Sequence, residues 1–287
     1  MDIRSGYQND EKLGKSLEDL AGSVFGADIK YRIWGRYRQD EYIPYSVIEN
    51  DEVVSNVCLN VCNIRWRGSI RHLAMLDCIM TRPGHRNMGY MRELMKKVTD
   101  VCDRSFEGTF LYADRSMSGF CEKFSYHVRD EWQYSKEVNI TSKQNIQKIS
   151  LDSPEERGRI VDIMRRPEQY GDKIMVNNMD LFMDRLTGEF SDSIYYLPET
   201  GSYTVARIDA GELKLYAVFS DTKVSLSDVI KSFGGDIRSV VLAFSPENNT
   251  GFECRRREDD KNVLFTRGEI FEKTKNEKFM FPAIITA

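Results

Sequence analysis

The chain reads as an α+β protein, with mixed α/β sheets in two domains. Three observations predict this. Short β-rich runs alternate with amphipathic helical segments from end to end. The segment Leu73 to Val98 is an apolar strand running through a Pro-containing turn into a helix. At 287 residues the chain is long enough for two domains of ordinary size.

The first half begins with a strand at about Ile3 to Tyr7 and a helix over Glu11 to Val24. A basic and aromatic helical stretch follows, Tyr31 to Tyr37. Strands Tyr42 to Ile48 and Val53 to Arg65 are antiparallel, because Glu49-Asn50-Asp51-Glu52 between them supplies turn residues. The next strand covers about His72 to Met80, and its helix Asn87 to Asp103. In that helix Met88, Met91, Leu94, Met95, Val98 and Cys102 recur at helical spacing, while Arg92, Glu93, Lys96, Lys97, Asp100 and Asp103 take the other face. Thr109 to Ala113 is a short strand, Met117 to Phe124 a helix, and Tyr126 to Tyr134 a closing strand.

The polar stretch Asn139 to Ser150 separates the halves, giving domains 1–138 and 150–287. Ser153-Pro154-Glu155-Glu156 then starts a helix, with an S-x-x-E capping box and Pro at the first helical position. A second helix lies near Asn178 to Leu186. Strands follow at Ile194 to Leu197, Tyr203 to Ile208 and Leu213 to Phe219, with Asp209-Ala210-Gly211 as a hairpin turn. Ser225 to Phe233 is a helix stopped by Gly234-Gly235, and Ser239 to Phe244 returns as a strand. Val263 to Thr266 and Phe279 to Ile284 read as closing strands.

Composition narrows the function. A hydrophobic share of 41% with 30% charged residues belongs to a soluble globular protein. No apolar leader follows Met1 and no run approaches the ~20 residues that span a bilayer, so a cytoplasmic protein without membrane partners is expected. The net charge of −4 argues against nucleic acid as the main partner. The six cysteines form no C-x-x-C pair and read as buried thiols; Cys58 and Cys62 share a strand face, but no second ligand pair accompanies them, and no metal is expected.

The helix opening after Arg86-x-x-Gly89 carries the most chemistry. The first turn of a helix has unpaired N–H groups and the positive end of its dipole, so it attracts an anion. Gly89 has no side chain to hold a diphosphate away from the backbone. Strand, turn and amphipathic helix also occur in proteins that bind no phosphate, and what favours the cradle is the unbroken order of strand, T-x-P turn, Arg86, Gly89 and helix.

This segment resembles the GNAT superfamily of acetyl-CoA-dependent N-acyltransferases. Arg86-Asn87-Met88-Gly89-Tyr90-Met91 matches the superfamily pattern Q/R-x-x-G-x-G/A except at its last small position, where Met91 places a side chain near the expected diphosphate. Ile79, Thr81, Pro83, Arg86 and Gly89 fit the longer form V-x-T-x-P-x-x-R-x-x-G of the bacterial enhanced-intracellular-survival (Eis) type. The resemblance implies a GNAT domain followed by a degenerate GNAT-like second domain without a cofactor motif; an unrelated α+β domain is the alternative. It implies acetyl-CoA as co-substrate, held by the backbone of Ile79, Met80 and Thr81 and by Arg86, Asn87, Met88, Gly89, Tyr90, Met91 and Arg92.

Gly119 to Tyr126 resembles the family signature F-Y-x-x-F-G-F/Y, with Cys121 where the family places the Tyr that protonates the departing thiolate. Cys121 is therefore a candidate acid, or a small buried thiol. Asp77 is a candidate general base near the open end of its strand, and the carboxylate of Ala287 a candidate by likeness to Eis-type chains. The implied reaction is direct attack of a primary amine, on a small molecule or a peptide, upon the thioester. The alternative is a non-catalytic acyl-CoA-binding regulator, motivated by Cys121 and Met91. Nothing selects between aminoglycoside, polyamine, amino acid and protein lysine as acceptor, and oligomeric state is left open.

Overall fold

The structure is a computed structural model that describes residues 1–7, 9–26, 41–66, 68–141, 145–165 and 174–286, without the side chains of 174–177 and 180. The Tyr31 to Tyr37 stretch and Ala287 lie outside the described residues. In chain order the first elements are β1 (Asp2–Ser5), α1 (Glu11–Phe25), β2 (Tyr42–Glu49), β3 (Glu52–Trp66), β4 (Ser69–Thr81), α2 (Tyr90–Ser105), β5 (Gly108–Ala113), α3 (Ser118–Cys121) and β6 (His127–Arg129). They continue with β7 (Trp132–Ile140), β8 (Gln147–Lys148), α4 (Pro154–Met164), β9 (Ile174–Asn177), α5 (Met179–Thr187), β10 (Ile194–Leu197), β11 (Ser202–Asp209) and β12 (Glu212–Ser220). Last come α6 (Leu226–Ser232), β13 (Ile237–Leu242), β14 (Glu253–Arg256), β15 (Val263–Arg267) and α7 (Glu269–Lys273).

Two compact units result, and they interleave along the chain. The first comprises Met1–Asn63, Arg71–Arg129 and Asp259–Asn276; the second comprises Ile64–Ile70, Asp130–Glu258 and Glu277–Ala287.

The sheet of the first unit runs β1-β2-β3-β4-β5-β15-β6. The β2–β3 hairpin turns through Asn50 and Asp51, both at positive φ, which is the two-residue turn that matches strand twist. Helix α1 is capped by Asp10, whose side chain accepts from the Leu13 amide at 3.1 Å, and ends at Gly26 in the left-handed region. It buries Leu13, Leu17, Leu20 and Ala21 in a cluster with Tyr42, Val53, Cys58 and Met80. Helix α2 buries Leu94, Met95, Val98 and Cys102 in a separate cluster with Val57, Leu76, Leu111, Cys121 and Tyr126. β15 pairs antiparallel with both β5 and β6, so a strand distant in sequence fills the place between them. Gly108 and Gly268 make that close approach possible: a Cβ on Gly268 would stand 2.7 Å from the Gly108 Cα.

The sheet of the second unit runs β14-β7-β13-β12-β11-β10-β8. The β11–β12 hairpin turns through Ala210 and Gly211, both at positive φ, and β13 returns parallel to β12 after α6. Val229, Ile230 and Phe233 cover Leu213, Leu215, Val240 and Leu242. Of the capping box at α4 the Ser153 half is present, its side chain accepting from the Glu156 amide at 3.4 Å, while the Glu156 carboxylate bonds the Tyr203 hydroxyl and Arg159 instead and the Ser153 amide donates to the Ser150 carbonyl.

Four expectations differ from the structure. The strand foreseen over Tyr126 to Tyr134 is two, β6 and β7, in different sheets. The helix foreseen over Met117 to Phe124 is a chain of single turns ending at Ser125, at φ 60°. Phe279 to Ile284 forms no strand, because its backbone amides go elsewhere: Met280 N–H donates to Ser245 Oγ at 2.8 Å and Phe281 N–H to Glu131 Oε1 at 3.1 Å. The helix foreseen from Asn87 starts at Tyr90, which leaves Met88 exposed. No described helix is long and apolar enough to cross a membrane.

Candidate active site

The site grows from the way β4 leaves its neighbour. β4 and β5 pair in parallel from Leu73↔Gly108 to Leu76↔Leu111, and the register ends there although β4 continues to Thr81. Two residues on, Cys78 takes φ 44°, a left-handed conformation inside a strand. The remainder of β4 stays with β3. The Asn56 side chain donates to the Cys78 carbonyl at 3.0 Å, Ser55 Oγ donates to the Met80 carbonyl at 3.2 Å and lies 2.8 Å from Thr81 Oγ1, and the Arg82 amide donates to the Val54 carbonyl at 2.8 Å. β5 meanwhile goes on to pair with β15 through Tyr112 and Ala113. The two parallel strands therefore part, and the backbone of Ile79, Met80 and Thr81 borders the opening.

The chain then makes a tight turn at Pro83–His85, closed by the His85 amide donating to the Arg82 carbonyl at 2.8 Å. Asn87 and Gly89 both take positive φ, 65° and 85°, before α2 begins. Gly89 caps α2 without any side-chain hydrogen bond, so the first amides of a 16-residue helix are left for another acceptor. A Cβ at Gly89 would meet no atom within 4 Å, so the space over this backbone is open. Arg86 and Arg92 are exposed beside it, with Arg86 Nε 3.4 Å from the Thr81 carbonyl. Met91 is partly buried and packs against the α2 cluster.

Sequence reasoning missed what braces this turn. The Glu49 carboxylate, at the end of β2, accepts from the Tyr90 hydroxyl in a short bond and lies 3.4 Å from His85 Nε2. Arg82 donates to the Val53 carbonyl at 3.3 Å. The hydrogen bond to the Glu49 carboxylate raises the Tyr90 phenol above its ordinary pKa, because ionising the phenol would remove the proton it donates. Only the hairpin register, which brings Glu49 back over the β4–α2 turn, reveals this brace.

The described candidates for proton handling fall in two clusters, Cys121 and Tyr126 in one and Asp77 beside the other. Cys121, at the end of α3, is buried in the α2 cluster, and that burial, with the Glu122 charge adding to it, pushes its thiol up to about 11. Tyr126 is fully buried, its hydroxyl 2.7 Å from Thr109 Oγ1, and burial raises its phenol well above the usual range. Asp77 stands with Cys58 and Cys78, which belong to the α1 cluster.

Comparison with known proteins agrees with this geometry. The sequence profile of the acetyltransferase (GNAT) domain matches residues 15–129. A search of curated proteins yields no match. Among solved structures, a probable N-acyltransferase of unknown function from Enterococcus faecalis V583 superposes with TM-score 0.58 at 15% identity, covering 93% of this chain and 71% of the other. A GCN5-related N-acetyltransferase from Kribbella flavida gives 0.56 at 14% identity, over 93% and 72%. Eis1 from Mycobacterium abscessus gives 0.56 at 13% identity, over 92% and 73%. At these identities the likeness is one of fold, and it spans both units. With its parted parallel strands, its open glycine turn and the profile match over the same stretch, residues 15–129 form an acetyltransferase (GNAT) domain.

Proposed function

We propose that the chain moves an acetyl group from acetyl-CoA to a primary amine by direct attack, with no acyl-enzyme. The observation that carries this reading is the parting of β4 from β5 after Leu76, leading directly into the uncapped, side-chain-free start of α2. The amides of Asn87 to Arg92 and the guanidinium groups of Arg86 and Arg92 are suited to a diphosphate: open backbone, a helix N-terminus and two exposed cations. Ile79, Met80 and Thr81 offer strand backbone to the amides of a pantetheine arm. A thioester placed there supplies the acetyl group.

The amine must arrive neutral, so its proton goes to water before attack. A C–N bond forms as the C–S bond breaks, and the proton that the nitrogen sheds on acylation passes to water. Backbone N–H groups at the end of β4 stabilise the oxyanion. The departing thiolate takes a proton that Cys121 gives up through water and regains from solvent, a role that rests on the place of Cys121 in the Gly119 to Tyr126 segment. Acceptors include small-molecule amines and peptide amines.

Thiol release measured with acetyl-CoA and a panel of aminoglycosides, polyamines, amino acids and lysine peptides tests the reading. Amine-dependent release is expected. Firm CoA binding with no release across the panel would overturn the acceptor assignment. Failure of CoA to raise the melting temperature or to shift amide signals around Tyr90 would overturn the donor assignment.

A further inference from the structure

Cys58, Asp77 and Cys78 form a second constellation, on the α1 side of the first sheet. Consecutive strand residues normally point to opposite faces. The left-handed backbone at Cys78 breaks that alternation, and both Asp77 and Cys78 reach toward Cys58 on β3. Their two sulfurs and a carboxylate oxygen all lie within 4.8 Å of one another. Thiolates on one tetrahedral zinc, at about 2.3 Å each, stand roughly 3.8 Å apart, so small side-chain rotations close the set.

The surroundings are those of a metal-bound sulfur. Asn56 Nδ2 donates to Cys58 Sγ at 3.1 Å, and the Tyr42 hydroxyl lies 2.6 Å from the same sulfur, able to donate once the thiol proton has left. Asn56 is fixed in turn, its Oδ1 accepting from Ser46 Oγ at 2.7 Å and its Nδ2 also bonding the Cys78 carbonyl, while Ser46 bonds the Tyr7 hydroxyl. Tyr42, Ser46, Asn56 and Cys58 are all buried. Outer-shell donors of this kind orient a ligand sulfur and stabilise its anionic form. Asp77 and Cys78 are half-buried, so the cluster stands within reach of solvent.

We propose that Cys58 Sγ, Cys78 Sγ and the Asp77 carboxylate bind one thiophilic divalent cation, zinc, with water completing the tetrahedron. Loading displaces the two thiol protons to solvent and forms two Zn–S bonds and one Zn–O bond, with no change of oxidation state. The bound ion fixes the strand irregularity at which β4 parts from β5. Sequence spacing hides the site because its ligands come from two strands, and Cys62, the apparent partner of Cys58, takes no part.

The test uses the full chain, stripped with a chelator and kept reduced, and titrated with Co²⁺ alone. A thiolate-to-cobalt charge-transfer band saturating at one equivalent is expected, displaced by one equivalent of Zn²⁺ with a rise in melting temperature. Cys78→Ser and Asp77→Asn, at half-buried positions and checked for fold by circular dichroism, should each weaken zinc at least tenfold against a chromogenic chelator. Cys62→Ser should leave it unchanged. A folded chain that shows no band at equimolar Co²⁺, or equal affinity in the Cys78→Ser variant, overturns the proposal. So does a peroxide-induced Cys58–Cys78 disulfide in a chain that takes up no metal.

Discussion

Gly89→Ala separates the fold's need for this glycine from the ligand's. Gly89 has φ 85°, where an L-residue costs about 1–2 kcal/mol, yet the new methyl meets no atom within 4 Å. The variant therefore folds, with a melting temperature lower by roughly 2–8 °C for a chain of this size. The methyl projects into the space where a diphosphate would approach the α2 amides. Losing one charge-assisted hydrogen bond costs about 1.5–3 kcal/mol, or roughly a 10- to 150-fold rise in Kd. Calorimetric titration with CoA and with pantetheine, which lacks the diphosphate, reads the difference. CoA should weaken by that factor while pantetheine is unchanged. Gly22→Ala is the control, an exposed helical glycine with open space and no positive φ, and it should hold or raise stability. Unchanged CoA affinity in Gly89→Ala would refute the diphosphate cradle, and equal loss for both ligands would show a general distortion.

Further outcomes follow from specific side chains. Cys121→Ala should lower kcat with little change in the KM for acetyl-CoA, at about 1 kcal/mol of stability, and Cys121→Ser should recover part of the loss; equal kcat in all three proteins would leave Cys121 a packing residue. Because its thiol titrates only near 11, no loss of turnover from Cys121 ionisation is expected below about pH 10 in a pH–rate profile. Asp103 on α2 makes two hydrogen bonds to the Arg267 guanidinium, and these hold its carboxyl below the ordinary range. A carboxyl depressed in the folded state stabilises above its unfolded pKa, about 3.9, and loses that contribution as pH falls through the folded value. Arg267→Gln should thus cost up to about 1 kcal/mol at pH 7 and almost nothing at the lowest pH at which the fold survives, a difference that urea titrations at the two pH values measure. In the second unit, Glu131 is 5% exposed, receives Arg257 Nη1 at 3.1 Å and the Phe281 amide at 3.1 Å, and on Glu131→Ala should cost about 3–5 kcal/mol of that unit's stability by denaturant unfolding.

Much of this protein was legible in local sequence because local physics decides it. The period of Leu94, Met95, Val98 and Cys102 makes α2 amphipathic, Asn50-Asp51 and Ala210-Gly211 make their turns, Ser153 and Glu156 start α4, and Arg86-x-x-Gly89 marks the helix that can receive an anion. None of these needs a distant residue. What stayed hidden depends on pairing between segments far apart in the chain. β15 enters the first sheet from about 150 residues beyond β5, and no local pattern says which open edge a five-residue strand will fill. The tail at Phe279 to Ile284 has strand composition, but Glu131 and Ser245 take its amides. Glu49 braces the donor turn only because the hairpin register returns it to Tyr90 and His85. Asp77 reads as a strand carboxylate until the left-handed Cys78 gathers it with Cys58. The sequence alone determined the amphipathic helix α2, the two hairpin turns and the start of α4, since propensity and capping act within a few residues. The tertiary structure decided which strands part, which side chains brace the opening and which thiols meet, since those contacts exist only once distant backbone has paired.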